Sequence, residues 1–298
     1  MEKKLVGGQA VIEGVMMRCE NKVATAVRKG NSIKVKKEKI SSISDKYRIL
    51  KWPFVRGIVN LIELLIIGIK TLEYSAQEAS GKKEQISKTA MALTIVIALV
   101  FGIVIFVLIP YILTTVLGFK EQSMPLGFNL VDGLFRLAML VGYVILIGSF
   151  KDIRRVFEYH GAEHKAVACF EHGKTLNVKN CRKYSTKHTR CGTSFLMFVI
   201  LVGIVLFSFV PLAVSSVSPG IMSSHGFLRY ATLFLSRILI LPIISGIAYE
   251  ILRISARYED SKLVKPILLP GLYVQKLTTR EPDDKQVEVA IKALKAVI

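Results

Sequence analysis

Apolar residues along this chain gather into a few long blocks instead of recurring in the amphipathic periods of a soluble protein. Four blocks can cross a hydrocarbon core of ~30 Å at the 1.5 Å rise of an α-helix. They are residues 91–117, 130–150, 195–217 and 227–249, and Pro110, Pro211 and Pro242 fall inside three of them. A proline kinks a helix in water, whereas neighbours in a membrane bundle re-satisfy the carbonyl it frees. Short connections join the first block to the second and the third to the fourth.

A fifth apolar stretch, residues 54–72, differs. Arg56, Asn60, Glu63, Lys70 and Gln77 follow one another at three-to-four spacing, with a gap at Ile67, and draw a narrow polar stripe. The pattern predicts a helix that lies at the membrane interface or re-enters from it; a core helix of the cytosolic portion is the alternative. In residues 22–40 the period changes to two. Val23, Thr25 and Val27, then Ile33 and Val35, flank Lys29-Gly30-Asn31 and read as a β-hairpin. Near the other end, Glu281-Pro282-Asp283-Asp284 opens a last helix. Its stripe of Val287, Ala290, Ile291, Leu294 and Val297 must dock on the cytosolic portion.

Charge decides orientation. Of 41 Lys and Arg residues, 37 lie in residues 1–88, 151–190 and 253–298. With four spans these segments share one side, so the positive-inside rule places both termini and the central loop in the cytoplasm. A span at residues 54–72 would carry 13 basic residues across. Residues 1–10 show no apolar signal core, so the N-terminus is expected to be retained. The expected fold is an α-helical multi-pass membrane protein of four spans plus an interfacial or re-entrant helix. A small cytosolic α+β portion includes the N-terminal β-hairpin. The divisions are 1–53 (β-rich), 54–88 (interfacial helix and linker), 89–150 (two spans), 151–194 (loop), 195–249 (two spans) and 250–298 (final helix).

Net charge is +19, yet a specific nucleic-acid partner is not expected. Lys34, Lys36, Lys37 and Lys39 have no interleaved aromatic residues for base stacking and read as a solvated edge near the anionic bilayer. The run Gly7 to Gly14 lacks G-x-G-x-x-G spacing, so glycine-rich turns of a small sheet are expected, with Glu13 as a weak candidate site carboxylate. Cys19, Cys169, Cys181 and Cys191 form no C-x-x-C pair and should be reduced thiols.

Four of the five histidines lie in residues 151–194. If Phe157 to Lys165 is helical, His160 and His164 share one face a turn apart, with Glu163 beside them. Two imidazoles at that spacing can hold a divalent metal, and the carboxylate can act as general base. The order H-x-x-E-H is that of the inverzincin metallopeptidases. His188 and Cys191 offer further ligands just before the third span, and Glu250 could approach from the fourth. Surface histidines of a basic juxtamembrane loop are the structural alternative. His172 and His225 read as structural or solvated, and Cys169 and Cys181 as buried thiols.

The chain resembles the YqhQ-like family of bacterial integral membrane proteins, a domain of unknown function described as predicted metal-dependent enzymes. The resemblance runs nearly end to end. It rests on Gly7 to Arg18, Arg56-Gly57 through Asn60-Leu61, Tyr159-His160-Gly161-Ala162-Glu163-His164-Lys165, His188, Arg190 to Phe195 and Thr278 to Asp283. It implies a metal site at His160, Glu163 and His164, joined by His188 or Cys191. Two functions are then in view. One is a zinc-dependent, hydrolytic enzyme acting at the cytoplasmic membrane surface. The other is a non-catalytic biogenesis or quality-control factor whose basic face binds other membrane proteins, the translocon, ribosome or a protease. A transporter ranks behind both, because the spans show few charges beyond Arg136 and Arg237.

Overall fold

The computed structural model describes residues 6–45, 47–81, 87–121, 123–220, 226–258 and 261–298. The chain opens with four strands, β1 (Val6–Val11), β2 (Gly14–Cys19), β3 (Lys22–Lys29) and β4 (Ser32–Lys39). They form an antiparallel meander in spatial order β1-β2-β3-β4, each turning back through two residues. The expected hairpin is β3–β4. Gly7 and Gly8, however, lie inside β1, not in a turn.

Among the described residues the helices are α1 (Val55–Ser80), α2 (Lys88–Ile103), α3 (Ile109–Val116), α4 (Pro125–Gly148) and α5 (Lys151–Glu171). The short α6 (Val178–Cys181) precedes α7 (Gly192–Phe207) and α8 (Val210–Val217). Then come α9 (Phe227–Arg257), α10 (Lys265–Thr278) and α11 (Asp284–Lys295).

Both faces of the sheet are covered. Val15, Met17, Ala24 and Ala26 pack with Tyr159, Ala162 and Ala166 of α5 and with Val287, Ala290 and Leu294 of α11. On the opposite face Val11, Met16 and Val23 close on Ile67 of α1. The expected stripe on α11 therefore docks as its spacing requires. Asp283 caps that helix in a reciprocal box with Gln286. The edge strand β4 is exposed, and two of its lysines meet α1: Lys34 pairs with Glu78 at 2.8 Å, and Lys36 lies over the Tyr74 ring.

Residues Thr89–Val116, α4 and α9 are each long and apolar enough to cross a membrane. The α7–α8 pair, bent by 42°, qualifies as a fourth span if taken together. The prolines mark the irregularities: Pro110 opens α3 after a π-helical turn, Pro211 opens α8 beyond the bend, and Pro242 sits within α9. The helix α1 does not pass this test. Arg56, Asn60 and Glu63 of its polar stripe turn inward while Lys70 stays exposed; Arg56 forms a bidentate pair with Glu250 (2.5 and 2.7 Å) and Asn60 donates to the Tyr249 hydroxyl (2.8 Å). Glu63 accepts from Ser42 Oγ and the Ile43 N–H, while Ile62, Leu65 and Ile66 face outward. An apolar side turned away from the protein is the arrangement of an interfacial helix.

Within the bundle, Arg237 of α9 is fully buried and bonds Asp132, Asn129 and Glu121. Its guanidinium also lies within about 5 Å of the Tyr111, Phe128 and Phe207 ring centroids. Arg136 pairs with Asp132 one turn away on α4. The arginines are thus balanced by two carboxylates that a scan for isolated cations overlooks.

Candidate metal centre

Only Ser149 and Phe150 separate α4 from α5, so the expected loop begins as a helix of 21 residues. That helix is buried all round from Gly161 to Val167, a stretch that includes the polar Glu163, His164 and Lys165. His160 and His164 lie one turn apart on it, their ring centroids separated by 4.4 Å.

Each imidazole is held through Nδ1. His160 donates to the Thr278 carbonyl at 2.9 Å, and His164 donates to the Thr186 carbonyl at 2.5 Å. Donation from Nδ1 leaves the Nε2 lone pair free as a ligand. Cys191 caps the N-terminus of α7, and its Sγ lies 3.3 Å from His160 Nε2. One ligand atom from each of His160, His164 and Cys191 falls within 4.8 Å of the others. A tetrahedral zinc sets its N and S ligands roughly 3.3–3.8 Å apart, and the Cys191–His160 pair already meets that spacing. The three residues are thus placed so that they could hold a metal ion.

Burial dominates the electrostatics. It drives His164 well below its ordinary value, helped by the His160 ring beside it, and keeps the imidazole neutral. The Cys191 thiol is pushed up to about 11, again by burial. Glu163, 6% exposed, is raised by burial against the opposing pull of His160, His188 and Arg190. Its Oε2 lies 3.5 Å from His164 Nε2, so the carboxyl stands beside the triad.

His188 does not complete the ligand set. Its ring lies 5.7 Å from that of His164, but Nε2 donates to Glu171 at 3.0 Å and Nδ1 accepts from the Arg190 N–H at 3.3 Å. Both nitrogens are occupied. Glu250 is held by Arg56 and stays away. Glu13 pairs with Arg155 and accepts from the Tyr159 hydroxyl, which docks the β1–β2 turn onto α5. Cys169 and Cys181 are buried in the sheet-facing core. His172 is exposed beside Tyr184, and His225 lies outside the described residues.

Several residues that position the site carry no metal-ligand signature. Gln275 is fully buried and clamps the loop before Cys191: its Oε1 accepts from the His188 N–H, and its Nε2 donates to the His188 carbonyl and to Ser194. Lys165 donates to the Arg182 and Tyr184 carbonyls, fixing the segment that presents Thr186. A cavity of about 790 Å³ adjoins the triad, lined by β1, α1, α5, the start of α7 and the end of the α9 span.

Comparison with known proteins places these features in a family context. A family model described as "Protein of unknown function (DUF1385)" matches residues 52–298. A curated relative, "Uncharacterized protein YqhQ" of Bacillus subtilis (strain 168), is 33% identical over 306 residues, covering 98% of this chain and 92% of the relative. No solved structure matches.

Proposed function

Because the chain belongs to the DUF1385 family, whose description leaves activity open, we propose a function from the site itself: a metal-dependent hydrolase of the bacterial cell membrane. The observation that carries this reading is the convergence of two lone pairs, with their imidazoles fixed by backbone carbonyls, and one thiol sulfur. Two imidazoles and a thiolate suit zinc better than oxygen-seeking magnesium or calcium. Structural zinc sites are closed by four protein ligands, whereas three ligands beside an open cavity favour catalysis.

A divalent cation held by His160, His164 and Cys191 supplies Lewis-acid polarisation of a substrate oxygen. The remaining roles belong to the chain. Glu163, whose burial makes its carboxylate a stronger base, takes a proton from the attacking water and returns it to the leaving group. The Thr186 and Thr278 carbonyls keep both imidazoles in the tautomer that offers Nε2. The one-sided distribution of 37 basic residues supports a cytoplasmic location for the site and both termini.

Metal analysis of the purified protein tests this proposal. Wild type should carry about one zinc per chain, and His160→Ala and Cys191→Ser should lose it. Glu163→Gln should keep the metal and lose cellular function. A wild-type protein that binds no divalent metal sinks the reading.

A further inference from the structure

One wall of the cavity has no role in holding the metal: the outer edge of β1. This strand is terminal in the sheet, and its ladder runs to β2 alone. In a hairpin closed by two residues, Val11 and Gly14 form the hydrogen-bonded pair next to the turn. Alternation then points the backbone groups of Gly7, Gln9 and Val11 toward β2 and those of Gly8, Ala10 and Ile12 away from it. The Ile12 N–H fits this phase, since it donates to Ser75 Oγ of α1 at 3.1 Å. Among the described residues, no such bond occupies the outward groups of Gly8 and Ala10.

The free edge faces the reactive cluster. A β-carbon added to Gly8 would lie 2.8 Å from Glu163 Cγ, so α5 covers that face of β1; on the other face Gln9 meets Gly68 of α1. Between the two helices the edge borders the same cavity as His160, Glu163 and Cys191. Its other walls carry Leu61, Leu64, Phe157, Phe195 and Leu252, with Arg18, Glu20, Asn60 and Arg190 between them. Leu64 is also 42% exposed, beside Leu65 and Ile66 on the outward side of α1. The cavity is therefore continuous with the exposed apolar side of α1.

Building on the hydrolase reading, we propose that the substrate is an extended apolar peptide segment drawn from the membrane, bound as an added strand along the β1 edge. Unpaired strand edges are templates for another strand, and a peptide pairing with Gly8 and Ala10 sends alternate side chains toward the leucines and phenylalanines of those walls. An acyl chain has no donors or acceptors to meet those backbone groups. The reaction is amide hydrolysis: water's oxygen bonds the carbonyl carbon, the C–N bond breaks, and Glu163 relays a proton to the departing nitrogen. The products are a carboxylate and an ammonium group, which between them hold both of water's protons.

The test uses the full-length protein in detergent micelles, zinc-loaded and chelator-stripped. The probes are a short leucine–alanine peptide, the same peptide N-methylated at alternate residues, and phosphatidylglycerol. The unmodified peptide should slow hydrogen exchange at Gly8 and Ala10, and methylation of the register that faces β1 should weaken binding by at least about tenfold, the worth of one or two net hydrogen bonds. Equal binding of both peptides, or protection by phosphatidylglycerol alone, overturns the proposal while leaving the metal site intact. Edge protection by peptide in a protein that takes up no zinc supports the added strand and sinks the hydrolase reading instead.

Discussion

The Arg280 carbonyl packs against Gly161 in the space that a β-carbon at Gly161 would need. The Arg280 N–H donates to the Phe157 carbonyl at 3.0 Å, so residues 278–280 are held against α5, and Thr278 in that segment receives His160. Gly161→Ala should therefore push the segment away and loosen the imidazole. Expected costs are about 1–3 kcal/mol of stability from overpacking and about 10–100-fold in zinc affinity from a lost outer-shell partner. Unfolding in detergent with and without zinc reads both.

Zinc affinity should climb with pH. The metal-free site holds a neutral His164 and a Cys191 thiol whose pKa burial raises to about 11. Zinc binds the thiolate, so binding expels the thiol proton, and the bound state is favoured as protons become scarcer. With one proton released, affinity rises about tenfold per pH unit from neutrality up to the thiol pKa. Cys191→Ser should leave no zinc binding to follow with pH. Competition titrations against a coloured chelator at several pH values check it, and a flat wild-type slope would remove Cys191 from the ligand set.

Gln275 acts on the site from a distance. It touches no metal ligand side chain but bonds both backbone groups of His188, three residues before Cys191. Gln275→Ala should lower zinc affinity by about tenfold with the stoichiometry unchanged, whereas Cys191→Ser should change the stoichiometry itself. Calorimetric zinc titration separates the two outcomes.

The bundle's charge network should behave independently. Arg237→Leu leaves Asp132 and Glu121 buried with Arg136 as their remaining cation. Removing one partner of a buried pair costs about 3–5 kcal/mol. Thermal unfolding in detergent should fall accordingly, while zinc content, measured on the folded fraction, stays at the wild-type level.

Much of this architecture is legible in the chain, and the rest is hidden for identifiable reasons. Spans are legible because apolar length alone sets them, as in residues 91–117 against Thr89–Val116. The stripe on α11 is equally plain. By contrast, α5 is harder to read as a helix because Glu163, His164 and Lys165 are buried among its small and apolar residues and blur the amphipathic period. The pairing of His160 with His164 follows from their spacing. Choosing between His188 and Cys191 does not, since both stand close together before α7 and only the bonds from Glu171 and Arg190 take His188 out of the set. Asp132 precedes Arg136 by four residues, a visible pair, yet nothing in the chain brings Arg237 to them across 105 positions. Backbone carbonyls such as Thr186 and Thr278 leave no side-chain trace at all.

The unit built around the sheet draws on three distant stretches: strands from residues 6–39, α5 from the middle, and α11 together with Thr278 from near the other end. A ribosome making this chain delivers every span before α11 leaves the exit tunnel. Until then Val15, Met17, Ala24 and Ala26 have only part of their cover, and His160 lacks its carbonyl anchor. The proposed metal site is therefore completed only after the helical bundle has been made, and a nascent chain that stops short of residue 278 lacks the carbonyl that holds His160.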